Sequence, residues 1–151
     1  MKIAIGCDQN AYDFKCEIIK HLQEGGHEVI DYGSHENENV LYPNVALEVS
    51  KEVALEKFDR AILICGTGIG MSITANKVTG VRAALCHDVY SAERARKSNN
   101  AQVMTMGSQL VGIETAKKIV DAWMASEYVA GGRSQPKVEL VDKIDLEYRK
   151  K

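Results

Sequence analysis

The sequence predicts an α/β protein: a single Rossmann-like domain whose five-stranded parallel sheet carries helices on both faces. Three observations predict it. Short apolar runs alternate along the chain with stretches of helical periodicity. The heart of the third run, Ala61-Ile62-Leu63-Ile64, is continuously apolar, which suits a strand covered on both faces. The length of 151 residues fits one domain, and no internal repeat, low-complexity tract or linker divides it.

The elements follow in order. Lys2 to Cys7 forms the first strand and ends at Asp8. A helix starts near Ala11, with Phe14, Ile18, Ile19 and Leu22 at helical spacing, and Gly25-Gly26 stops it. Glu28 to Asp31 is the second strand, ending near Gly33. A polar loop from Ser34 to Asn39 leads to Tyr42-Pro43, and Pro43 suits the first turn of a helix carrying Val45, Val49 and Val53. The third strand, Arg60 to Ile64, passes directly into Cys65-Gly66-Thr67-Gly68-Ile69-Gly70 and a helix reaching about Lys77. Val81 to Cys86 is the fourth strand, and its helix covers roughly Val89 to Lys97. Gln102 to Met106 is the fifth, followed by Gly107-Ser108. The next helix carries Ile113, Ala116, Ile119, Val120 and Trp123. After Gly131-Gly132 a last helix runs over about 135–148, so that one domain spans 1–151.

Composition narrows the function classes. Hydrophobic residues make up 45% and charged residues 26%, a globular balance. Nineteen Lys and Arg against 21 Asp and Glu leave a net charge of −2, without the basic excess of a general nucleic-acid binder. No apolar run approaches the ~20 residues that span a bilayer. The opening Met1-Lys2-Ile3-Ala4-Ile5-Gly6 reads as a strand rather than an export signal. Cys7, Cys16, Cys65 and Cys86 form no Cys-x-x-Cys pair, which argues against a zinc ribbon or thioredoxin motif. Reduced thiols and a cytoplasmic location are expected.

In a doubly wound sheet, ligands sit at the carboxyl ends of the strands. Here those ends are Asp8-Gln9, Gly33-Ser34, 65–70, Cys86-His87-Asp88 and Gly107-Ser108. The segment 65–70 carries most of the signal. Its three glycines allow close backbone approach, and their amides with a helix start make an anion site. The same glycines also serve a tight turn that binds nothing. The spacing Gly66-x-Gly68-x-Gly70 is not that of a dinucleotide loop, and no Gly-Lys-Ser/Thr follows to make a P-loop. Cys65 stands beside these amides. A cysteine near a helix N-terminus has its thiolate favoured and can act as base or nucleophile. A small buried hydrophobe is the bland alternative.

The segment 65–70, with Ala75-Asn76-Lys77 and Gly80-Val81-Arg82-Ala83, resembles the RpiB/LacAB sugar-phosphate isomerase family. Ile5-Gly6-Cys7-Asp8, Tyr42-Pro43, Tyr90-Ser91-Ala92, Val111-Gly112, Ile119-Val120-Asp121-Ala122-Trp123 and Gly131-Gly132-Arg133 extend the likeness from Met1 to about Tyr148. The resemblance implies aldose–ketose isomerisation of ribose 5-phosphate or a related pentose, hexose or tetrose phosphate. Cys65 would take a proton from C2 of the open-chain sugar, giving a cis-enediolate, and return it to C1. The amides around Gly66, Gly68 and Gly70 would hold the enediolate oxygens. Thr67 would assist ring opening, and Asp8 would bind sugar hydroxyls. Gln9, Tyr42 and Ser98 would line the substrate. Asn99 and Arg133 would come from a neighbouring chain, with Lys137 beside Arg133 as a second cation for phosphate. A homodimer or tetramer follows. No metal or organic cofactor, nucleic acid or membrane is implied.

Several positions depart from the family pattern. The His usual after the first-strand Asp is Gln9. The ring-opening His of a His-Asn pair is Ser98, in Ser98-Asn99. An Arg after the fifth strand is Gln109, the second of two C-terminal arginines is Lys137, and an Asp before the Tyr-Pro pair is Leu41. The enolising part is intact and the phosphate-binding part is weakened, since Lys137 lacks the bidentate fork of Arg. Three explanations compete for the missing acid. Thr67 or His87 replaces it, a paralogous subunit supplies it as in galactose-6-phosphate isomerases, or the substrate has no ring to open. A non-catalytic sugar-phosphate-binding protein is the competing class.

The remaining residues have plainer readings. His87 at a strand end is either a site residue or a solvated loop residue. His21, His27 and His35 read as surface, and Cys7 and Cys86 as core. Arg94, Arg96 and Lys97 read as a solvated face, with substrate phosphate as the alternative. Trp123 is a core or interface anchor.

Overall fold

The computed structural model describes residues 1–149. Its strands are β1 (Lys2–Cys7), β2 (Glu28–Asp31), β3 (Arg60–Cys65), β4 (Ala83–Leu85) and β5 (Val103–Gly107). They form one sheet in the order β2-β1-β3-β5-β4, with every neighbouring pair parallel. The helices are α1 (Tyr12–Glu24), α2 (Tyr42–Ala54), α3 (Ile69–Ala75), α4 (Val89–Asn99), α5 (Ile113–Met124) and α6 (Gln135–Tyr148).

Side chains alternate across the strands and build two cores. Ile3, Ile5, Ile62, Ile64, Met104 and Met106 face α1, α4 and α5, which contribute Ile18, Leu22, Ala92, Ile119 and Trp123. Ala4, Ala61, Leu63, Cys65 and Val103 face the other way, against Val45, Val49, Met71 and Ala75 of α2 and α3. All six residues of β3 are buried, as its unbroken apolar run requires. The chain winds outward from β1 to β2, then crosses to β3 on the other side of β1. The carboxyl ends of β1 and β3 therefore flank a switch point, where doubly wound sheets open a crevice. Cys7, Asp8 and Cys65 stand there.

The differences from the sequence reading are local. β4 keeps only Ala83–Leu85 of the expected run, and α3 stops at Ala75. A short 3-10 turn, Gln9–Ala11, precedes α1. Arg96 is a correction: it is buried rather than solvated, donating to Ala101 O at 2.8 Å and Asn100 Oδ1 at 3.1 Å. Cys7, Cys86 and Trp123 lie in the core as expected. α6 buries only Val138, while Leu140, Val141, Ile144 and Leu146 are exposed. It is tethered by Arg82 on Asp142 and by Gly80 N–H on Asp145 at 3.0 Å. Among the described residues no helix is long and apolar enough to cross a membrane.

Candidate active site

Cys65 ends β3 at the switch point and is 6% exposed, on the face covered by α2 and α3. Its Sγ accepts a hydrogen bond from Gly68 N–H at 3.1 Å. The turn that brings this amide back requires φ +75° at Gly68, in the left-handed region that glycine enters without strain. A Cβ there would also fall 2.7 Å from the backbone of Met106. At Gly70 a Cβ would sit 2.4 Å from the Tyr42 ring, so glycine lets Tyr42 lie against the turn. Thr67 is exposed, and its Oγ1 accepts from Ile69 N–H at 3.3 Å, leaving the hydroxyl proton to give. α3 has seven residues, so the turn's own amides rather than a long helix dipole supply the local positive potential.

The end of β5 braces this turn. Ser108 N–H donates to Cys65 O at 2.9 Å and Gln109 N–H to Gly66 O at 3.1 Å. Gly107 N–H donates to His87 Nε2 at 3.0 Å. From β1, Asp8 N–H donates to Ile64 O at 3.2 Å, which ties Asp8 beside the residue before Cys65. The Asp8 carboxylate is mostly buried and caps the 3-10 turn through Asn10 N–H at 3.0 Å. Gln9 is exposed and, with Ser108 and Gln109, borders a cleft of about 680 Å³ walled by the loop 34–39.

The other thiols cannot share this role. Burial pushes the Cys7 and Cys86 thiols up to about 12, so both stay protonated. Cys16 is exposed on α1, away from the strand ends. Among the described residues no group of three or more His, Cys, Asp or Glu is placed to hold a metal ion.

The remaining expected residues gather elsewhere. Ser98, Asn99, Arg133 and Lys137 line one cleft of about 600 Å³. α4 runs back from the carboxyl end of β4 to the start of β5, so Ser98 and Asn99 lie at the amino end of the sheet, opposite Cys65. Within one chain the expected set is thus split in two. Asp8, Gln9, Tyr42, 65–70 and Thr67 are at one pole, and Ser98, Asn99, Arg133 and Lys137 are not brought to them. Arg133 and Lys137 are exposed, with no hydrogen bond or ion pair from either side chain among the described residues.

A profile of the family described as Ribose/Galactose Isomerase matches residues 3–141. The chain belongs to this family. Ribose-5-P isomerase B of Listeria innocua is 55% identical over 99% of this chain and 100% of its own length. D-erythrulose-4-phosphate isomerase of Pectobacterium atrosepticum is 51% identical over 93% of each chain. The structure of Clostridium thermocellum ribose-5-phosphate isomerase B superposes with a TM-score of 0.93 at 44% identity, covering 98% of this chain and 99% of that one. Membership of the ribose/galactose isomerase family makes the chain an enzyme, and the five-stranded parallel fold is the one its relatives share.

Two features of this isomerase were not legible in the sequence. His87 and Ser108 were read as strand-end positions, but their contacts with backbone groups of the neighbouring strand ends are a relation that no spacing along the chain displays. Lys15 is fully buried, with Nζ donating to Asp31 Oδ1 at 2.7 Å and Ser34 O at 2.7 Å. A lysine on the stripe Ala11, Lys15, Ile18, Leu22 was the available signal, since a cation on an apolar face needs a partner.

Proposed function

We propose that this isomerase interconverts the aldose and ketose forms of a small phosphorylated sugar, with Cys65 as the base. The observation that carries the reading is the Cys65 Sγ, 3.1 Å from the Gly68 amide at the switch point of the sheet. The Cys65 thiolate removes the proton from C2. The freed electron pair forms the C1–C2 double bond, and the carbonyl pair moves onto O1. Backbone amides of 66–70 lie where this oxyanion develops, and such donors act most strongly where charge appears. Return of the proton to C1, with transfer of the O2 proton to O1, gives the ketose. Thr67 supplies a hydroxyl proton near the reacting end, and Asp8 accepts from sugar hydroxyls.

Among the described residues one chain shows no unpaired cation at this pole, where Lys15 is held by Asp31, and a phosphate calls for one. A second copy, in a homodimer or tetramer, brings its Ser98, Asn99, Arg133 and Lys137 to the Cys65 pole. The two side chains left without partners then acquire one. The substrate class follows from Ser98, which has no acid to open a ring. A four-carbon sugar phosphate cannot cyclise through its phosphorylated O4, so it needs none. A relative named D-erythrulose-4-phosphate isomerase accords with this choice. Ribose 5-phosphate is the second substrate, favoured by relatives named for that activity. Ser98 also favours a second reading, in which a paralogous chain supplies the acid. A relative named galactose-6-phosphate isomerase subunit LacB, at 35% identity, accords with it.

The test is NMR observation of aldose–ketose conversion with erythrose, ribose, allose and galactose phosphates. Tetrose phosphate turns over fastest, and Cys65→Ala lowers that rate by about 10²–10⁴-fold while leaving the fold intact. Full activity in that variant removes Cys65 from the mechanism. Binding without conversion of any sugar points to a missing subunit.

A further inference from the structure

His87 belongs to neither half of the site as described, yet it is one hydrogen bond removed from the Cys65 turn. It follows β4 and sits half-buried, with Asp88 capping α4 next to it. Its Nε2 accepts from Gly107 N–H at 3.0 Å. An imidazole that accepts at Nε2 carries its proton on Nδ1, so Nε2 has none to give a substrate. That geometry argues against His87 Nε2 as the replacement ring-opening acid.

Gly107 is where the turn rests on β5. A Cβ at Gly107 would fall 2.7 Å from the backbone of Thr67 and 2.8 Å from Gly66 O. The next two residues hold the turn directly, Ser108 on Cys65 O and Gln109 on Gly66 O. β4 itself is only three residues long and ends at Leu85, so its ladder does not reach Gly107. Beyond it, Cys86 N–H on Thr105 O at 3.0 Å and the His87 side chain continue the pairing. Leu85 also closes on Gly68, where a Cβ would fall 2.7 Å from its side chain.

We propose that His87 is a positioning residue whose Nε2 lone pair fixes Gly107, and through Gly107 the height of the Thr67–Gly68 turn beneath Cys65. The proposal rests on the reading of Cys65 as base. The mechanical chain is His87, Gly107, the Gly66–Thr67 backbone, and the Gly68 amide on Sγ. Loss of the lone pair leaves a half-buried N–H unpaired and frees the strand end to shift. A displacement of about 1 Å at a reacting centre costs roughly 100-fold in rate. The charged neighbour of His87 is Asp88, whose carboxyl Ser91 holds below its ordinary range. Asp88 stays ionised on α4 and is not part of the chain of contacts.

The test compares His87→Gln with His87→Met. The two side chains have similar length, but only Gln places an acceptor oxygen near the Nε2 position. Two readouts are taken: kcat and KM for sugar-phosphate isomerisation, and the rate of Cys65 alkylation by iodoacetamide at fixed pH. The second is read on the Cys65 peptide by mass spectrometry, with Cys16 as internal control, and needs no substrate. H87M lowers kcat by about 10- to 100-fold with KM within about twofold, and slows Cys65 alkylation but not Cys16. H87Q restores both to within about fivefold of the wild type. H87Q as impaired as H87M overturns the proposal, because an acceptor alone then does not suffice. Unchanged or faster Cys65 alkylation in a folded H87M overturns it as well. If the wild type converts no sugar phosphate, the functional reading fails while the alkylation comparison still decides the role of His87.

Discussion

The four cysteines occupy three kinds of environment, and the contrast assigns their chemistry. Cys7 and Cys86 are buried, and desolvation raises both thiols to about 12. A raised thiol value means that the neutral form persists until the pH climbs toward that value. Alkaline pH within the folded range therefore does not activate either. Cys65 is 6% exposed at an open strand end, and Cys16 is exposed on α1. Iodoacetamide at about pH 8 is expected to modify Cys16 and Cys65 in the native protein, and Cys7 and Cys86 only after denaturation. Peptide mass spectrometry with and without urea checks this, and native labelling of Cys7 or Cys86 would contradict their assignment to the core. The sequence already placed Cys7 and Cys86 in the core, because each closes an apolar strand. It placed His87 at a strand end but left its role open, because that contact is with a backbone amide 20 residues away.

At the scale of elements, the termini of two helices show which interactions decide. Arg60 is buried at the start of β3 and donates to carbonyls at the end of α5 and just beyond it: Trp123 O at 2.5 Å, Met124 O at 3.0 Å and Ser126 O at 2.7 Å. It also pairs with Glu127, but that carboxylate is 67% exposed, so solvent screens the ion pair. The carbonyl bonds dominate. Arg60→Met is expected to lower unfolding stability by about 2–4 kcal/mol, read by urea denaturation, because it strands buried carbonyls. Glu127→Gln leaves those bonds and is expected to change stability far less. At α4, Asp88 accepts from Ser91 N–H at 2.7 Å and Ser91 O–H at 2.6 Å, which holds its carboxyl below the ordinary 3.8. A depressed carboxylate stabilises the fold above its ordinary value, and that contribution fades as the pH falls below it. Asp88→Ala is expected to lower the melting temperature at neutral pH, with the gap narrowing by about pH 2–3. A gap independent of pH would mean that charge contributes nothing to this cap. Asp88 was legible only as a strand-end residue and not as the cap that it forms, and Arg60 at the head of an apolar strand gave no hint that it reaches across to α5.

For the whole molecule, the periodic patterns made the sheet and its helices legible, since each strand and helix is a local property of the chain. The carboxyl-end turn was equally legible, because glycine spacing records backbone geometry. What spacing alone could not show is that the candidate residues fall at opposite poles. Ser98 and Asn99 follow α4 down to the amino end of the sheet, while Cys65 stands at the carboxyl end. The split itself makes the assembly testable. If each active site joins the Cys65 turn of one copy to the Arg133 and Lys137 of another, two defects on different chains can complement. Cys65→Ala and the double variant Arg133→Ala, Lys137→Ala are each inactive alone. In a mixed dimer, one site carries both defects and the other carries neither. Co-refolding equal amounts is expected to restore about a quarter of wild-type turnover, since half the dimers are mixed and each has one intact site of two. A site contained within one chain predicts no recovery, because every chain then carries its own defect. Sedimentation of the mixture establishes that mixed oligomers form, so absence of recovery in their presence places the phosphate on residues other than Arg133 and Lys137 of a second copy.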